Sequence, residues 1–353
     1  MQLDISPKQV IIGPGSKSLI YAILAALDSD IIMPTPAWSS YKDLATLNQR
    51  PILEVPMDPE NDFHPDSGRM AHAIDAAAKQ WRQPDTLLLC NPHNPTGTTL
   101  SQTEVQAIIH FARERGLLIL SDEIYSWVTY DGHEHTTCAR DYPERTIILG
   151  GLSKQMSVGG WRLGVAVLPS TEAGDALARA VQAIAGCIWS CAPAPVQFAA
   201  LKAYSREPEI EAYMQACTQS HSIRTHYLYD ALDEFGIPCP RPSAAFYLYP
   251  SFANWREALA QRNVTSCREL SRYLLEKYDI ATLPGSTFGD DPKALALRFS
   301  TSFLDMETDE QADNIVRAYR EENDPDQFIN NHHPRLRAVV SRLADFITEL
   351  EDN

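Results

Sequence analysis

The sequence lacks any hydrophobic run long enough to cross a bilayer. No uninterrupted apolar stretch approaches the roughly 20 residues that a transmembrane helix requires. The first residues, MQLDISPKQ, show neither the basic flank nor the apolar core of a secretory signal. These absences predict a cytoplasmic protein that has no membrane partner.

Cysteines and basic residues are also scarce. The 353 residues include seven cysteines and no C-x-x-C pair, which predicts reduced thiols rather than a disulfide framework. Thirty basic residues stand against 46 acidic ones, for a net charge of −16. This balance argues against a nucleic-acid partner, because the phosphate backbone attracts basic surfaces. The chain is long enough for about two domains.

Short apolar runs that are typical of buried strands alternate with helical patterns. The runs cover residues 9–12, 31–33, 52–55, 86–90, 117–120, 146–149 and 163–168. This alternation predicts an α/β fold with a mostly parallel sheet flanked by helices.

The pattern changes after the first two hundred residues. We predict a large ligand-binding domain at 1–205, a connecting helix at 206–235 and a smaller α+β C-terminal domain at 236–320. Predicted strands near 245–249, 280–283 and 295–300 belong to the smaller domain. The remainder, 321–353, is predicted to be a polar linker followed by an appended helix at 336–350.

The segment IIGPGSKSLIYAIL at 11–24 joins a glycine-containing turn to a helical pattern. Ser16 and Lys17 are predicted to lie at the helix N-terminus, where free N–H groups and the helix dipole favour a phosphate. The spacing is not that of a P-loop, because Ser16 separates glycine from lysine. It is not the dinucleotide motif either, because Ser18 occupies the place of its third glycine. A helix start without a ligand is an equally good reading of this segment alone.

Polar side chains follow three of the predicted strands. Each motif alone has a structural explanation as a turn, a helix cap or a solvated lysine. Because parallel strands end at one edge of a sheet, the motifs together predict a ligand site there. An amine, a carboxylate, a phenol, an amide, an arginine and a phosphate cradle suit pyridoxal phosphate. The groups are Asn91, His93 and Asn94 in NPHNPTG, Asp122, Glu123 and Tyr125 in SDEIY, and Ser153, Lys154 and Arg162 in GGLSKQMSVGGWRLG.

With this set, the sequence resembles fold type I pyridoxal-phosphate enzymes, specifically class I/II aminotransferases of the aspartate aminotransferase type. The resemblance extends from about residue 6 to about residue 318. It rests on the ordered motifs GPGSK, PTPAWSSY, NPHNPTG, SDEIY, SKQMSVGGWRLG, RPSAAFYLYP, LPGSTFG and LRFSTS. It implies a homodimeric enzyme that moves an amino group between an amino acid and a 2-oxo acid.

The resemblance also implies roles around the cofactor ring. Lys154 corresponds to the lysine that forms the Schiff base and moves the substrate proton. Asp122 corresponds to the partner of the pyridine nitrogen, while Tyr125 and Asn94 correspond to donors to the phenolic oxygen. Trp38 corresponds to the residue that stacks on the ring.

Further roles concern the phosphate and the substrate. The phosphate ligands of the family correspond to Ser16, Lys17 and Arg162. The residue that binds the substrate carboxylate corresponds to Arg298, and Asn94 also contributes to substrate binding. Tyr41 is expected to support Asp122. The sequence departs from the family at Gly151, often a serine that binds phosphate, so that Ser153 is a possible substitute, and at Ala244, usually glycine.

Other readings stay open at this point. The same cofactor supports lyase and other Cα chemistry, and an inactive or regulatory relative would retain the fold. Family members carry a further segment before residue 1, so weak cofactor binding and slow turnover are expected of the chain as written. His133 and His135 resemble a metal pair, but a solvated loop explains them better and no metal is predicted.

Overall fold

The computed structural model describes residues 3–80, 84–130, 132–322 and 324–352. The chain divides into two compact units. The large unit contains the chain up to Pro92 and Thr99–Met214. The small unit contains His93–Thr98 and the chain from Gln215 onward.

A seven-stranded sheet forms the centre of the large unit. Its order is β1-β7-β6-β5-β4-β2-β3, and the strands from β2 to β6 are parallel. Strand β7 is antiparallel to both β6 and β1, so β1 points the same way as β6. The predicted α/β class with a mostly parallel sheet is confirmed. The strands are β1 (Val10–Gly13), β2 (Asp30–Thr35), β3 (Ile52–Pro56), β4 (Pro84–Cys90), β5 (Leu118–Asp122), β6 (Thr146–Gly151) and β7 (Gly164–Val167).

Helices pack on both faces of this sheet and bury its apolar side chains. One core joins Leu19 and Val181 to strand residues such as Leu120, and a second joins Ile108 to Ile119. The capping box predicted at Ser101 is present, because its side chain accepts from the backbone of the glutamate three positions later. The helices are α1 (Ser16–Ala26), α2 (Ser40–Leu47), α3 (Ser67–Ala78), α4 (Gln102–Arg115), α5 (Glu172–Ile188) and α6 (Ala194–Ala203).

The small unit carries a three-stranded antiparallel sheet of order β8-β10-β9. One predicted strand is displaced: Ile280 is buried and its N–H bonds to the carbonyl of Leu274, closing the preceding helix instead of pairing in the sheet. The strands are β8 (Tyr247–Leu248), β9 (Leu283–Pro284) and β10 (Leu297–Ser300). The helices are α7 (Pro208–Glu234), which begins in the large unit, α8 (Arg256–Gln261), α9 (Cys267–Tyr278) and α10 (Asp309–Glu321).

The C-terminal segment is more ordered than its composition indicates. The predicted polar linker contains helix α11 (Pro325–His332), because Asp324 caps its first turn and Phe328 is buried. The predicted final helix is present as α12 (Pro334–Glu351) and buries Phe346 in the core of the small unit. Within the described residues, no helix has both the length and the apolar character to cross a membrane.

Candidate functional site

Three glycines form one row across the carboxyl edge of the large sheet. Gly164 on β7 is paired with Gly13 on β1 and with Gly151 on β6. A Cβ atom on Gly164 would lie 2.3 Å from the backbone nitrogen of Ser16. The absence of a side chain therefore lets the first turn of α1 lie directly against the sheet edge where β6 ends.

The N-terminus of α1 is arranged to hold an anion. Gly15 precedes it with φ of 90°, no side chain caps the helix, and its first turn has no acidic residue. The guanidinium of Arg162 lies against this turn, since a Cβ on Gly15 would be 2.1 Å from its Nη2. Arg162 also donates from Nη1 to Oγ of Ser153 at 3.3 Å, and no carboxylate of the described residues forms an ion pair with it. The turn beside Ser16 thus combines free N–H groups, a hydroxyl and an unneutralised cation.

The departure at Gly151 has a steric cause. A Cβ at this position would lie 2.6 Å from the carbonyl oxygen of Leu163, which accepts from the backbone of Leu152. A serine could be accommodated only by moving this backbone. Ser153, which contacts Arg162, places a hydroxyl near the cradle from the following turn.

Asp122 ends β5 with its carboxylate buried. Tyr41 donates to Oδ2 at 2.6 Å, and the backbone of Ile124 donates to Oδ1 at 3.2 Å. The predicted contact with Tyr41 is therefore confirmed. Burial raises the pKa of Asp122 to about 6, although the Tyr41 hydrogen bond and the charge of Lys154 act in the opposite direction. Burial, together with Asp122, likewise raises the pKa of Tyr41.

The amine of Lys154 follows the end of β6. Its Nζ lies 5.8 Å from the ring centroid of buried Tyr125, and the lysine itself is half-buried. Trp38 contacts two of the predicted residues, since Nζ of Lys17 lies 4.8 Å from its ring centroid and Tyr41 meets it edge-on at 5.1 Å. The large unit thus gathers Lys154, Tyr125, Trp38 and Lys17 around the ends of its strands.

Arg298 and Asn94 form a second group, within the small unit. Nη1 of Arg298 donates to Oδ1 of buried Asn94 at 3.0 Å. The guanidinium lies 4.6 Å from the ring centroid of Tyr247 and 4.9 Å from that of Phe288. Its buried Nε has no hydrogen-bond partner, and no carboxylate of the described part of the chain pairs with it. The group presents a fixed cation suited to a carboxylate ligand.

The sequence interpretation missed these two rings and misread a histidine. The solvated-loop prediction is wrong for His135, whose side chain is 4% exposed and pairs with Glu123 at 2.8 Å. His133 is exposed, as predicted. In the described ranges, no group of three potential ligands could hold a metal ion. The signal for His135 was weak because its partner lies twelve residues earlier, across a loop.

The residues present fit pyridoxal phosphate. The cradle at α1 and Arg162 suits a phosphate, and a half-buried amine at Lys154 suits an aldehyde. The buried carboxylate of Asp122 has a raised pKa, and a protonated pyridine nitrogen would supply the positive partner that stabilises its charge.

Comparison with known proteins identifies the family. Residues 1–315 match the family described as aminotransferase class I and II. The chain belongs to this family. It is a pyridoxal-phosphate-dependent aminotransferase, a transferase of nitrogenous groups.

Curated relatives support this assignment over most of their length. The aminotransferase is 33% identical over 314 residues to an aspartate aminotransferase of Geobacillus stearothermophilus, covering 87% of this chain and 75% of the relative. It is 30% identical over 326 residues to an asparagine–oxo-acid transaminase of Streptococcus mutans, and the match covers 90% of this chain and 77% of the relative.

Solved structures share the fold of this aminotransferase. An aspartate aminotransferase double mutant of Thermus thermophilus matches with a TM-score of 0.78 at 23% identity, covering 97% of this chain and 77% of that one. An aromatic aminotransferase of Pyrococcus horikoshii matches with a TM-score of 0.78 at 24% identity, and the match covers 99% of this chain and 82% of that one. The fold type I assignment is confirmed.

Proposed function

We propose that this aminotransferase moves an amino group between an amino acid and a 2-oxo acid with Lys154 as its cofactor-bearing residue. The observation that carries the proposal is the buried carboxylate of Asp122, held by Tyr41 at 2.6 Å at the strand edge where Lys154 also lies. We further propose a cytoplasmic homodimer. The domain division at 1–205, 206–235, 236–320 and 321–353 also remains a proposal.

Residues at the strand edge would hold the cofactor. Ser16, Lys17 and Arg162, with Ser153, would bind the phosphate, as the uncapped start of α1 and the Arg162 contact support. Trp38 would contact the ring face.

The remaining polar groups would set the electronic state of the ring. Asp122 would hold a proton on the pyridine nitrogen, because a buried carboxylate favours a cationic partner. Tyr125 and Asn94 would donate hydrogen bonds to the phenolic oxygen. When bound, pyridoxal phosphate supplies an aldehyde that condenses with amines and a ring that accepts electrons from the substrate carbon.

Lys154 would transfer the proton of the substrate's Cα. A neutral amine is required for this role. Arg298 would bind the substrate carboxylate through two parallel N–H groups, and Asn94, bonded to its Nη1, would orient the guanidinium.

The amino donor is proposed from the relatives. The names of the two relatives described above specify aspartate and asparagine, and a further relative, 27% identical over 326 residues, is named aromatic-amino-acid aminotransferase 2 of Thermococcus litoralis. These three donor types form the first panel to test, each with a common 2-oxo acid as acceptor.

Borohydride reduction of the cofactor-loaded protein, followed by peptide mass mapping, tests the central assignment. The pyridoxyl group is expected on Lys154. Lys154→Ala should still bind cofactor through its other contacts but lose turnover almost completely. A label on Lys17, the other lysine near the cradle, would show that the assignment is wrong.

A further inference from the structure

A second buried carboxylate lies directly beside Asp122. The side chain of Glu123 is 1% exposed and points into a set of three donors. The hydroxyls of Thr137 and Ser121 donate to its Oε1 at 2.6 and 2.9 Å. Nε2 of His135 lies 2.8 Å from Oε2.

The burial of this group limits its net charge. An uncompensated carboxylate is costly to remove from water, and two neutral hydroxyls offset only part of that cost. The side chain of His135 is 4% exposed, so solvent screens neither partner. A proton on the imidazole cancels the charge of Glu123. The cost is an unpartnered N–H on the buried Nδ1, which is smaller than the cost of the unpaired carboxylate.

The charge of Glu123 acts on its neighbours. Burial is the largest influence on the pKa of Asp122, and it raises that pKa. The negative charge of Glu123 raises it further. The hydrogen bonds from Tyr41 and Ile124 and the positive charge of Lys154 lower it. The thiol of Cys138 lies near the same carboxylate. Burial is the main cause that raises the pKa of Cys138 to about 12, and the charge of Glu123 is the next. This thiol therefore stays protonated at neutral pH and adds no negative charge to the group.

We propose that His135 is an imidazolium paired with an ionised Glu123, so that the pair is neutral and Asp122 carries the net negative charge of this buried group. His135 is thereby a positioning residue, which acts on the cofactor through the charge state of Asp122. The inference rests on the proposed function of Asp122. It deepens that proposal by naming the His135–Glu123 pair as the reason that no second net negative charge lies beside the Asp122 carboxylate.

A double-mutant cycle tests the pair in the cofactor-loaded protein. His135→Gln leaves the charge of Glu123 uncompensated, so the pH at which the cofactor absorbance changes on the acid side should rise by about one unit, and cofactor affinity at pH 7 should fall about tenfold. Glu123→Gln together with His135→Gln should restore affinity to within about threefold of wild type. His133→Gln, exposed on the same loop, is the matched control and should change neither quantity.

Nitrogen-15 NMR of the cofactor-free protein supplies a readout that does not depend on activity. The His135 signals, assigned by their loss in His135→Gln, should show two protonated ring nitrogens at pH 7 in wild type and a neutral ring in Glu123→Gln. If His135→Gln does not fold, assignment by selective labelling of wild type and the spectrum of Glu123→Gln still decide the question.

The outcomes separate the two proposals. A neutral His135 in wild type, or additive effects of the two substitutions, would overturn the inference. If Asp122→Asn leaves the cofactor absorbance unchanged, the proposed role of Asp122 is wrong. If Asp122→Asn changes it while His135→Gln does not, only the role of His135 is wrong.

Discussion

Nη1 of Arg298 donates a 3.0 Å hydrogen bond to Oδ1 of Asn94, 204 positions away in the chain. The loop that carries Asn94 approaches β8 closely, because Gly97 has φ of 75° and a Cβ there would lie 2.3 Å from the carbonyl oxygen of Tyr247. The Asn94 bond and the flanking rings orient the guanidinium before any ligand is bound, which reduces the entropy that binding must overcome.

Arg298→Lys is expected to raise KM for every amino donor by a similar factor, about 10- to 100-fold. The lysine keeps the charge but loses the planar pair of donors, and hydrogen bonds to charged groups contribute about 1.5–3 kcal/mol. Steady-state kinetics with acidic, amide and aromatic donors measure this. An effect confined to acidic donors would mean that Arg298 reads the substrate side chain instead.

Phe288→Leu should raise KM for all donors about three- to tenfold while kcat at saturation changes little. The ring lies 4.9 Å from the guanidinium, and such contacts contribute about 0.5–2 kcal/mol. Phe288→Tyr should retain the wild-type KM because it keeps the aromatic face. Phe303→Leu, at an exposed site, is the control. A lowered kcat with unchanged KM would contradict a role in positioning Arg298.

Asp122→Asn should stabilise the cofactor-free protein at pH 8. The folded pKa of about 6 lies above the usual 3.8, so the folded state binds this proton more tightly and the ionised form is destabilising above pH 6. We expect a gain of about 3 kcal/mol at pH 8 that disappears near pH 4. Urea unfolding at several pH values measures it.

Tyr41→Phe is the matched variant for this experiment. It removes the hydroxyl that stabilises the Asp122 carboxylate, so it should destabilise the cofactor-free protein at pH 8. Equal stability of Asp122→Asn and wild type across the whole pH range would argue against a raised pKa.

Glu349 should make the small unit sensitive to acid. Lys277, at 2.6 Å from its Oε1, is the main cause that lowers the pKa of Glu349 to about 2, and Tyr278 adds to the effect. The folded value lies below the usual 4.5, so this stabilisation is present above pH 4.5 and is lost as the pH falls towards 2. Glu349→Gln should therefore flatten the fall in unfolding free energy over that range.

The control for this prediction is Glu351→Gln, an exposed carboxyl at the end of the same helix. This substitution should leave the dependence of the unfolding free energy on pH unchanged between pH 4.5 and 2. Identical profiles for wild type and Glu349→Gln would show that the contacts of Glu349 do not contribute measurably.

Gly164→Ala should weaken cofactor binding and lower the melting temperature. Its Cβ would lie 2.3 Å from the nitrogen of Ser16 and displace the start of α1. Gly150→Ala is the matched control, since a Cβ on Gly150 in β6 meets no atom within 4 Å. Both variants can be compared by calorimetry and by fluorescence titration with cofactor. Equal melting temperatures and equal cofactor affinities in the two variants would show that the close approach of Gly164 to the start of α1 is not required.

Local patterns determined much of this protein. Short apolar runs predict the seven strands of the large unit because each is a separate signal with its own turn. The motifs that follow those strands predict Asp122 and Lys154 as neighbours, because parallel strands end at one edge. The ordered series of motifs also led to the family and the cofactor.

Tertiary structure decided the features that depend on distant partners. His135 lies in a polar stretch that is typical of a solvated loop, and only the fold brings it against Glu123, away from water. Helix α11 has a polar composition, yet burial of Phe328 makes it part of the small unit. Local propensity contributes tenths of a kcal/mol per residue to stability, whereas burying a ring stabilises the fold by several times more, and leaving a buried charge without its partner would cost several times more. The fold therefore overrides the local signal wherever the partner is remote in the sequence.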